Sequence, residues 1–320
     1  MSVLDGIGNT PLVELSRIVP PGSARVLAKL EWANPTGSMK DRVAHAMITA
    51  AEADGRLRPG GTVVEYTAGT TGISLALVCA ARGYRLKIVF SDAFSEEKGQ
   101  MMRALGAEIV IVPSDEKRIT EQLIKRMIET ARELSDQPGH WWSDQLRNED
   151  AVAGYHPLGE EIWRQTGGRI DAFVHAVSTA HSIHGTAHAL RRHRPRLHVA
   201  AVEPAESAVL SGGPSGAHKI EGIGIGFIPP LWRPEEVDEI LTVTTSDAKA
   251  MARRLAREEG MFAGTSSGAN VVAALRVAER LGSGNTVVTL MCDSGLRYLS
   301  TDVFRPAVHE AIPVLAAAPA

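Results

Sequence analysis

The sequence predicts an α/β protein of two three-layer domains, each with a mainly parallel sheet covered by helices. Three observations predict it. The chain has 320 residues, about twice the usual size of a single domain. Short apolar, β-branched runs alternate along it with longer segments of helical period. Those runs are nearly continuous rather than alternating, the pattern of strands buried on both faces of a parallel sheet.

Taken in order, residues 25–32 (RVLAKLEW) read as a strand and 39–54 as a helix. Strand 62–66 (TVVEY) is followed by a helix over 72–82, strand 86–91 (LKIVFS) by a helix over 96–105, and strand 108–112 (EIVIV) by a helix over 119–134. The polar stretch 136–150 then separates two clusters of such units and marks a boundary. Beyond it come a helix over 151–165, strands 172–177 (AFVHAV) and 197–202 (LHVAAV), a helix over 269–281 and strand 286–291 (TVVTLM). The expected domains are therefore 1–145 and 146–304, with part of 10–35 pairing with the second. Residues 305–320, rich in Ala and Pro, read as a frayed tail.

Composition narrows the function classes. Hydrophobic residues make up 44 % and charged residues 22 %, ordinary globular usage. Thirty-four Lys and Arg against 37 Asp and Glu leave a net charge of −3, which offers no basic footprint for nucleic acid. Cys79 and Cys292 are isolated, so neither a disulfide framework nor a paired-cysteine zinc site is expected. The start MSVLDGIGNTPL lacks the charged-then-apolar pattern of a signal peptide, and no apolar run reaches 18 residues. The expectation is a cytoplasmic protein without a membrane or nucleic-acid partner.

In open α/β sheets the chemistry lies in loops at the carboxyl ends of strands; three such segments stand out, and a further one opens a helix. Residues 34–42 read N-P-T-G-S-M-K-D-R. Pro35 and Gly37 fix a turn and Ser38 suits a helix cap, which puts Lys40 in the first helical turn. The positive helix end disfavours its protonation and suits it to Schiff-base chemistry; a solvated surface lysine is the alternative. Asp41 and Arg42 alone suggest a charged helix start. Residues 65–72, E-Y-T-A-G-T-T-G, read as a carboxylate-binding turn or as a Gly-rich connector with a Thr cap. Residues 178–185, S-T-A-H-S-I-H-G, feed a helix N-terminus, the place for a phosphate cradle. His181 there could add a positive charge and would then titrate high. Histidines 181, 184 and 188 are spaced i, i+3, i+7, but without a carboxylate or cysteine nearby in sequence no metal site is expected. Residues 264–268, G-T-S-S-G, open a helix and make Ser266 either a cap or a ligand-facing hydroxyl. The run G-I-G-I-G at 222–226 is not a dinucleotide fingerprint, since Pro229 and Pro230 prevent a following helix.

The lysine segment resembles the cofactor-lysine motif of the cysteine synthase (O-acetylserine sulfhydrylase) and cystathionine β-synthase family, fold-type II pyridoxal-phosphate enzymes of the tryptophan-synthase-β-like fold. I-G-N-T-P-L at 7–12 resembles the family's opening, and segments 65–72, 145–148, 159–163, 218–229, 264–268 and 293–301 follow in family order. The resemblance covers nearly the whole chain, residues 5–304. It implies pyridoxal 5′-phosphate as cofactor, with Lys40 as its covalent anchor and the base at the substrate Cα. It implies cofactor contacts by Thr70, Ser178, Thr179, Ala180, His181, Ser182 and, at the ring nitrogen, Ser266. It implies substrate contacts by Thr67, Ala68, Gly69, Thr71, Gln145 and Gly222, with loop 222–226 over the site entrance.

The implied reaction is β-replacement on an activated L-serine such as O-acetylserine, with sulfide giving L-cysteine. Two alternatives stay open: another nucleophile or a β-eliminating lyase, and a non-catalytic cofactor-binding relative. A serine at the ring nitrogen makes a weaker electron sink than a carboxylate would, which favours loss of a β-substituent over transamination. The resemblance also implies a homodimer and leaves docking of serine acetyltransferase open. Neither a C-terminal regulatory module nor an N-terminal haem-binding extension is expected.

The sequence departs from the family at two loops. Ala68 replaces a serine and Thr70 an asparagine, which bears on substrate choice. Ser178, Ala180 and His181 stand where the family has glycines, and each residue forced into a left-handed conformation would cost about 1–2 kcal/mol.

Overall fold

The computed structural model describes residues 1–116 and 120–305; from residue 306 on, the expected tail lies outside the described residues. Along the chain come β1 (Leu12–Leu15), β2 (Arg25–Leu30), α1 (Lys40–Ala53), β3 (Thr62–Tyr66), α2 (Thr70–Arg82), β4 (Arg85–Phe90), α3 (Glu96–Ala104), β5 (Glu108–Ile111) and α4 (Glu121–Ser135). Then follow β6 (His140–Trp142), α5 (Asp150–Ala153), α6 (His156–Gln165), β7 (Ala172–Ala176), α7 (His181–His193), β8 (His198–Pro204), β9 (Glu239–Val243), α8 (Thr245–Glu258), α9 (Thr265–Leu281) and β10 (Thr286–Met291).

Two sheets organise these elements. One has the order β1-β2-β10-β7-β8-β9 and the other β5-β4-β3-β6. Among the described strands only the β1–β2 pair is antiparallel; the other strand pairs are parallel. The continuous apolar runs have their cause here: β3, β7 and β10 are buried at every residue, as strands covered on both faces must be. Helix ends follow local chemistry. Gly83 closes α2 in the left-handed region at φ 75°, and Thr120 and Thr244 cap α4 and α8 through their side chains.

The structure differs from the sequence reading in places. The helix expected over 151–165 is two, α5 and α6, because Pro157 at the start of α6 brings no N–H to continue α5. The strand expected over 25–32 stops at Leu30, where a short 3-10 turn takes Glu31–Ala33. The polar stretch 136–150 contains β6, hydrogen-bonded to β3. Of the helix expected over 119–134, Ile119 lies outside the described residues. Among the described residues no helix is long and apolar enough to cross a membrane.

Strand order fixes where a ligand can sit. In the six-stranded sheet the chain runs from β7 outward to β8 and β9 on one side, while β10 and β2 lie on the other. In the four-stranded sheet it runs from β3 to β4 and β5 on one side, with β6 on the other. Loops diverging at such switch points leave a crevice at the carboxyl ends of the strands. The segments 178–182 and 67–71 each follow a strand at a switch point, β7 and β3.

Candidate active site

Lys40 is the first residue of α1. The turn before it is pinned to the end of β10: Met39 N–H donates to Cys292 O at 2.9 Å, Ser294 N–H donates to Gly37 O at 3.1 Å, and Tyr155 donates its hydroxyl to Met39 O at 3.2 Å. The Lys40 Nζ makes no hydrogen bond or ion pair to another described residue. Burial pulls its ammonium down to about 8, so a neutral amine is accessible near physiological pH.

The neighbours of Lys40 correct the reading of a merely charged helix start. Asp41 is buried and accepts from Thr36 N at 2.7 Å, Thr36 Oγ1 at 2.5 Å and Ser74 Oγ at 2.6 Å, which locks the turn. Arg42 lies in a buried cluster, paired with Glu31 at 2.7 Å and Glu161 at 2.8 Å, and Lys29 joins Glu161 at 2.7 Å. Burial would raise the Glu161 carboxyl, but Arg42 and Lys29 together hold it down at about 2. Two cations face two carboxylates, and the start of α1 is thereby tied to α6 and the end of β2.

The loop after β3 folds around Gly69, whose φ of 132° only glycine adopts without strain. A Cβ there would lie 2.4 Å from Lys98 Cδ. Gly69 N–H donates to Thr67 Oγ1 at 3.0 Å, and Thr71 Oγ1 donates to Gln145 Oε1 at 2.8 Å. Gln145 Nε2 in turn donates to Tyr66 O at 2.8 Å. The structure thus brings Thr67, Gly69, Thr71 and Gln145 together, with Ala68 exposed and Thr70 half-buried at the start of α2. The first-turn N–H groups of α2 remain available to an anion. Glu65, missed by sequence reasoning, supports this loop from beneath. It is fully buried and accepts from Ser143 Oγ at 2.7 Å and Gln145 N at 2.9 Å, and burial raises its carboxyl to about 7. A charged residue inside the apolar run TVVEY was the signal.

The loop after β7 departs from expectation in two ways. Of the three positions expected to strain, only Ala180 is left-handed, at φ 70°; Ser178 and His181 keep ordinary backbone. The cost is one left-handed residue, about 1–2 kcal/mol, not two or three. His181 is not a cation either. Burial, with the positive charge of Lys40 nearby, pushes it down to about 3. Its Nδ1 bonds Thr179 Oγ1 at 3.0 Å. Its ring lies against the Gln145 backbone with no hydrogen bond of regular geometry at Nε2, so the loops of the two sheets meet at these residues. His184 and His188 instead both approach Glu236 Oε2, at 2.8 and 2.7 Å. Among the described residues no group of three potential ligands is placed to hold a metal.

Ser266, in the first turn of α9, is buried beside the Cys292 thiol, which burial pushes up to about 12. Gly222, at φ 89°, sits in a segment anchored by Gly224 N–H donating to Val177 O at 3.0 Å. The adjacent Glu221 pairs with Lys98 of α3, a bridge that sequence reasoning missed and that no local motif signals.

The family described as pyridoxal-phosphate dependent enzyme matches residues 3–293. A cysteine synthase of Staphylococcus aureus is 43 % identical over 301 residues, which are 93 % of this chain and 95 % of that protein. The crystal structure of a cysteine synthase from Entamoeba histolytica superposes with a TM-score of 0.89 at 38 % identity, covering 95 % of this chain and 90 % of that one. An O-ureido-L-serine synthase superposes with a TM-score of 0.90 at 38 % identity, covering 98 % and 97 %.

Proposed function

The chain belongs to the family of pyridoxal-phosphate-dependent enzymes, and from that premise we propose that it replaces the β-substituent of an activated L-serine such as O-acetylserine by sulfide, giving L-cysteine. The observation that carries the reading is the position of Lys40. It is an amine of lowered proton affinity without a partner among the described residues, close enough to His175 and His181 to disfavour their charged forms. The residues present fit the cofactor. Lys40 is free to anchor it, the hydroxyls of Thr179 and Ser182 and the first-turn N–H groups of α7 suit a phosphate, and Ser266 offers a neutral hydroxyl to a ring nitrogen.

Pyridoxal phosphate, when bound, supplies the electron-withdrawing ring that stabilises negative charge at the substrate Cα. The chain's own residues do the rest. The Thr67 hydroxyl and the first-turn N–H groups of α2, that of Thr71 among them, take the substrate carboxylate, while Gly69 N–H and Gln145 hold the Thr67 and Thr71 hydroxyls in place. Lys40 Nζ, whose neutral form is accessible near physiological pH, takes the Cα proton and can return it at the end of the cycle. Ser266, unable to hold a ring nitrogen protonated as a carboxylate would, favours departure of the β-substituent. Gly222 and its loop bound the entrance. Residues 1–145 and 146–304 are the two domains of this reading, and a cytoplasmic homodimer is its assembly and location, to be checked by light scattering.

A second reading keeps the cofactor and changes the nucleophile or leaving group. Ala68 and Thr70 favour it, because threonine offers one donor where an asparagine amide offers two, and the related O-ureido-L-serine synthase takes its name from a different product. Incubating the holoenzyme with O-acetylserine, with and without sulfide, tests both readings. Cysteine in the presence of sulfide, with little pyruvate in its absence, is the expected result. Pyruvate as main product with sulfide present would replace the first reading by elimination, and neither product would remove the first reading in favour of another leaving group.

A further inference from the structure

His175 lies within β7, buried in a strand that is otherwise apolar. Its two ring nitrogens have different partners, and these fix its tautomer. Asn270 Nδ2 lies 3.3 Å from His175 Nδ1 and 3.4 Å from Cys292 Sγ, which share one of its hydrogens. The amide cannot be turned round, because Asn270 Oδ1 accepts from Ala176 N–H at 2.7 Å while Nδ2 also donates to Leu290 O at 2.8 Å. An amide nitrogen only donates, so His175 Nδ1 accepts, and the neutral ring carries its hydrogen on Nε2. That Nε2 faces Ser182 Oγ at 2.7 Å. Ser182 is therefore an acceptor towards His175, and its own hydroxyl hydrogen is left to be given elsewhere. Burial, with Lys40 nearby, pushes His175 down to about 3, which keeps the ring a one-hydrogen donor at physiological pH. Ser182 itself is the second residue of α7, among first-turn N–H groups without helical partners.

We propose that His175 is the positioning residue of the phosphate-binding loop: by donating Nε2–H to Ser182 Oγ it directs the Ser182 hydroxyl hydrogen to a phosphate oxygen of the cofactor. This gives a glycine-poor loop a directed donor in addition to its backbone. The inference rests on the reading that residues 178–182 hold the cofactor phosphate. His175 touches no ligand in this account and acts through Ser182.

The test compares the wild-type holoenzyme with His175→Gln, His175→Leu and Ser182→Ala. Each is titrated with pyridoxal phosphate and with pyridoxal, which lacks the phosphate, and the phosphorus NMR resonance of bound cofactor is recorded. His175→Leu and Ser182→Ala are each expected to weaken pyridoxal phosphate by roughly tenfold or more, as for a lost hydrogen bond to a charged group. They should shift the resonance and leave pyridoxal unchanged. His175→Gln, whose amide can still donate to Ser182, is expected to retain most of the affinity. Combining His175→Leu with Ser182→Ala should add no further loss. Equal weakening of both ligands by His175→Leu would reduce His175 to a packing role and overturn the proposal. If His175→Leu does not fold, His175→Gln and Ser182→Ala decide together: wild-type pyridoxal phosphate affinity in Ser182→Ala, or equal weakening of both ligands in His175→Gln, overturns it as well. Should the wild type bind pyridoxal as tightly as pyridoxal phosphate, the phosphate reading of the loop fails first and takes this inference with it.

Discussion

Lys40 is separated from an ordinary surface lysine by its surroundings. The sequence placed it in a first helical turn, where the helix end disfavours its charge. The structure adds burial, which lowers its affinity for a proton to about 8. The sign follows directly: below that value the amine is charged and inert as a nucleophile, above it neutral and reactive. In cofactor-stripped protein, the rate of borohydride-trappable attachment of pyridoxal phosphate at Lys40 should rise with pH to a midpoint near 8, not near the 10.5 of a free lysine. Stopped trapping with peptide quantification across pH checks it. Legibility varied at this scale. Lys40 and Ser266 sit in local motifs that a reader can see. His175 does not, because its role is set by its partners, and the orienting Asn270 is 95 positions away.

Elements were legible where burial shaped both faces. β3, β7 and β10 stand out as apolar runs because helices cover both sides of their sheets. β1, β6 and β9 escaped notice: they are only partly buried, and β6 is three residues long. The role of the KDR segment was hidden as well, since a buried ion cluster reads in sequence like a solvated helix start. That cluster gives an element-scale prediction. Arg42→Met would strand the fully buried Glu31 and leave Glu161 with Lys29 alone. Breaking a buried pair from one side costs about 3–5 kcal/mol. Urea unfolding should show a loss of that size, accompanied by weaker cofactor retention, because Arg42 follows Lys40 by two residues on the helix that it anchors.

The whole molecule places its chemistry where two mainly parallel sheets each reverse strand order. The loops found from sequence after 62–66 and 172–177 follow β3 and β7, and loop contacts such as that of His181 with the Gln145 backbone join the two sides. The sequence could not display this junction, because strand order within a sheet is set by long-range pairing such as β2 with β10. Glu65 gives a prediction at this scale. Its carboxyl is raised from 4.5 to about 7 by burial, so the folded state holds a proton that the unfolded chain has released over that window. The stabilisation it contributes is complete below about pH 4.5 and is lost as pH rises through about 7. Relative to Glu65→Gln, the wild-type melting temperature should fall between those values; a constant difference between the two across pH would refute it.

Mass spectrometry of the borohydride-reduced holoenzyme bears most directly on the central claim. After proteolysis the cofactor mass should lie on the peptide carrying Lys40, and Lys40→Ala should abolish it. Cofactor found on another lysine, such as Lys98, or trapped on none, would contradict the account.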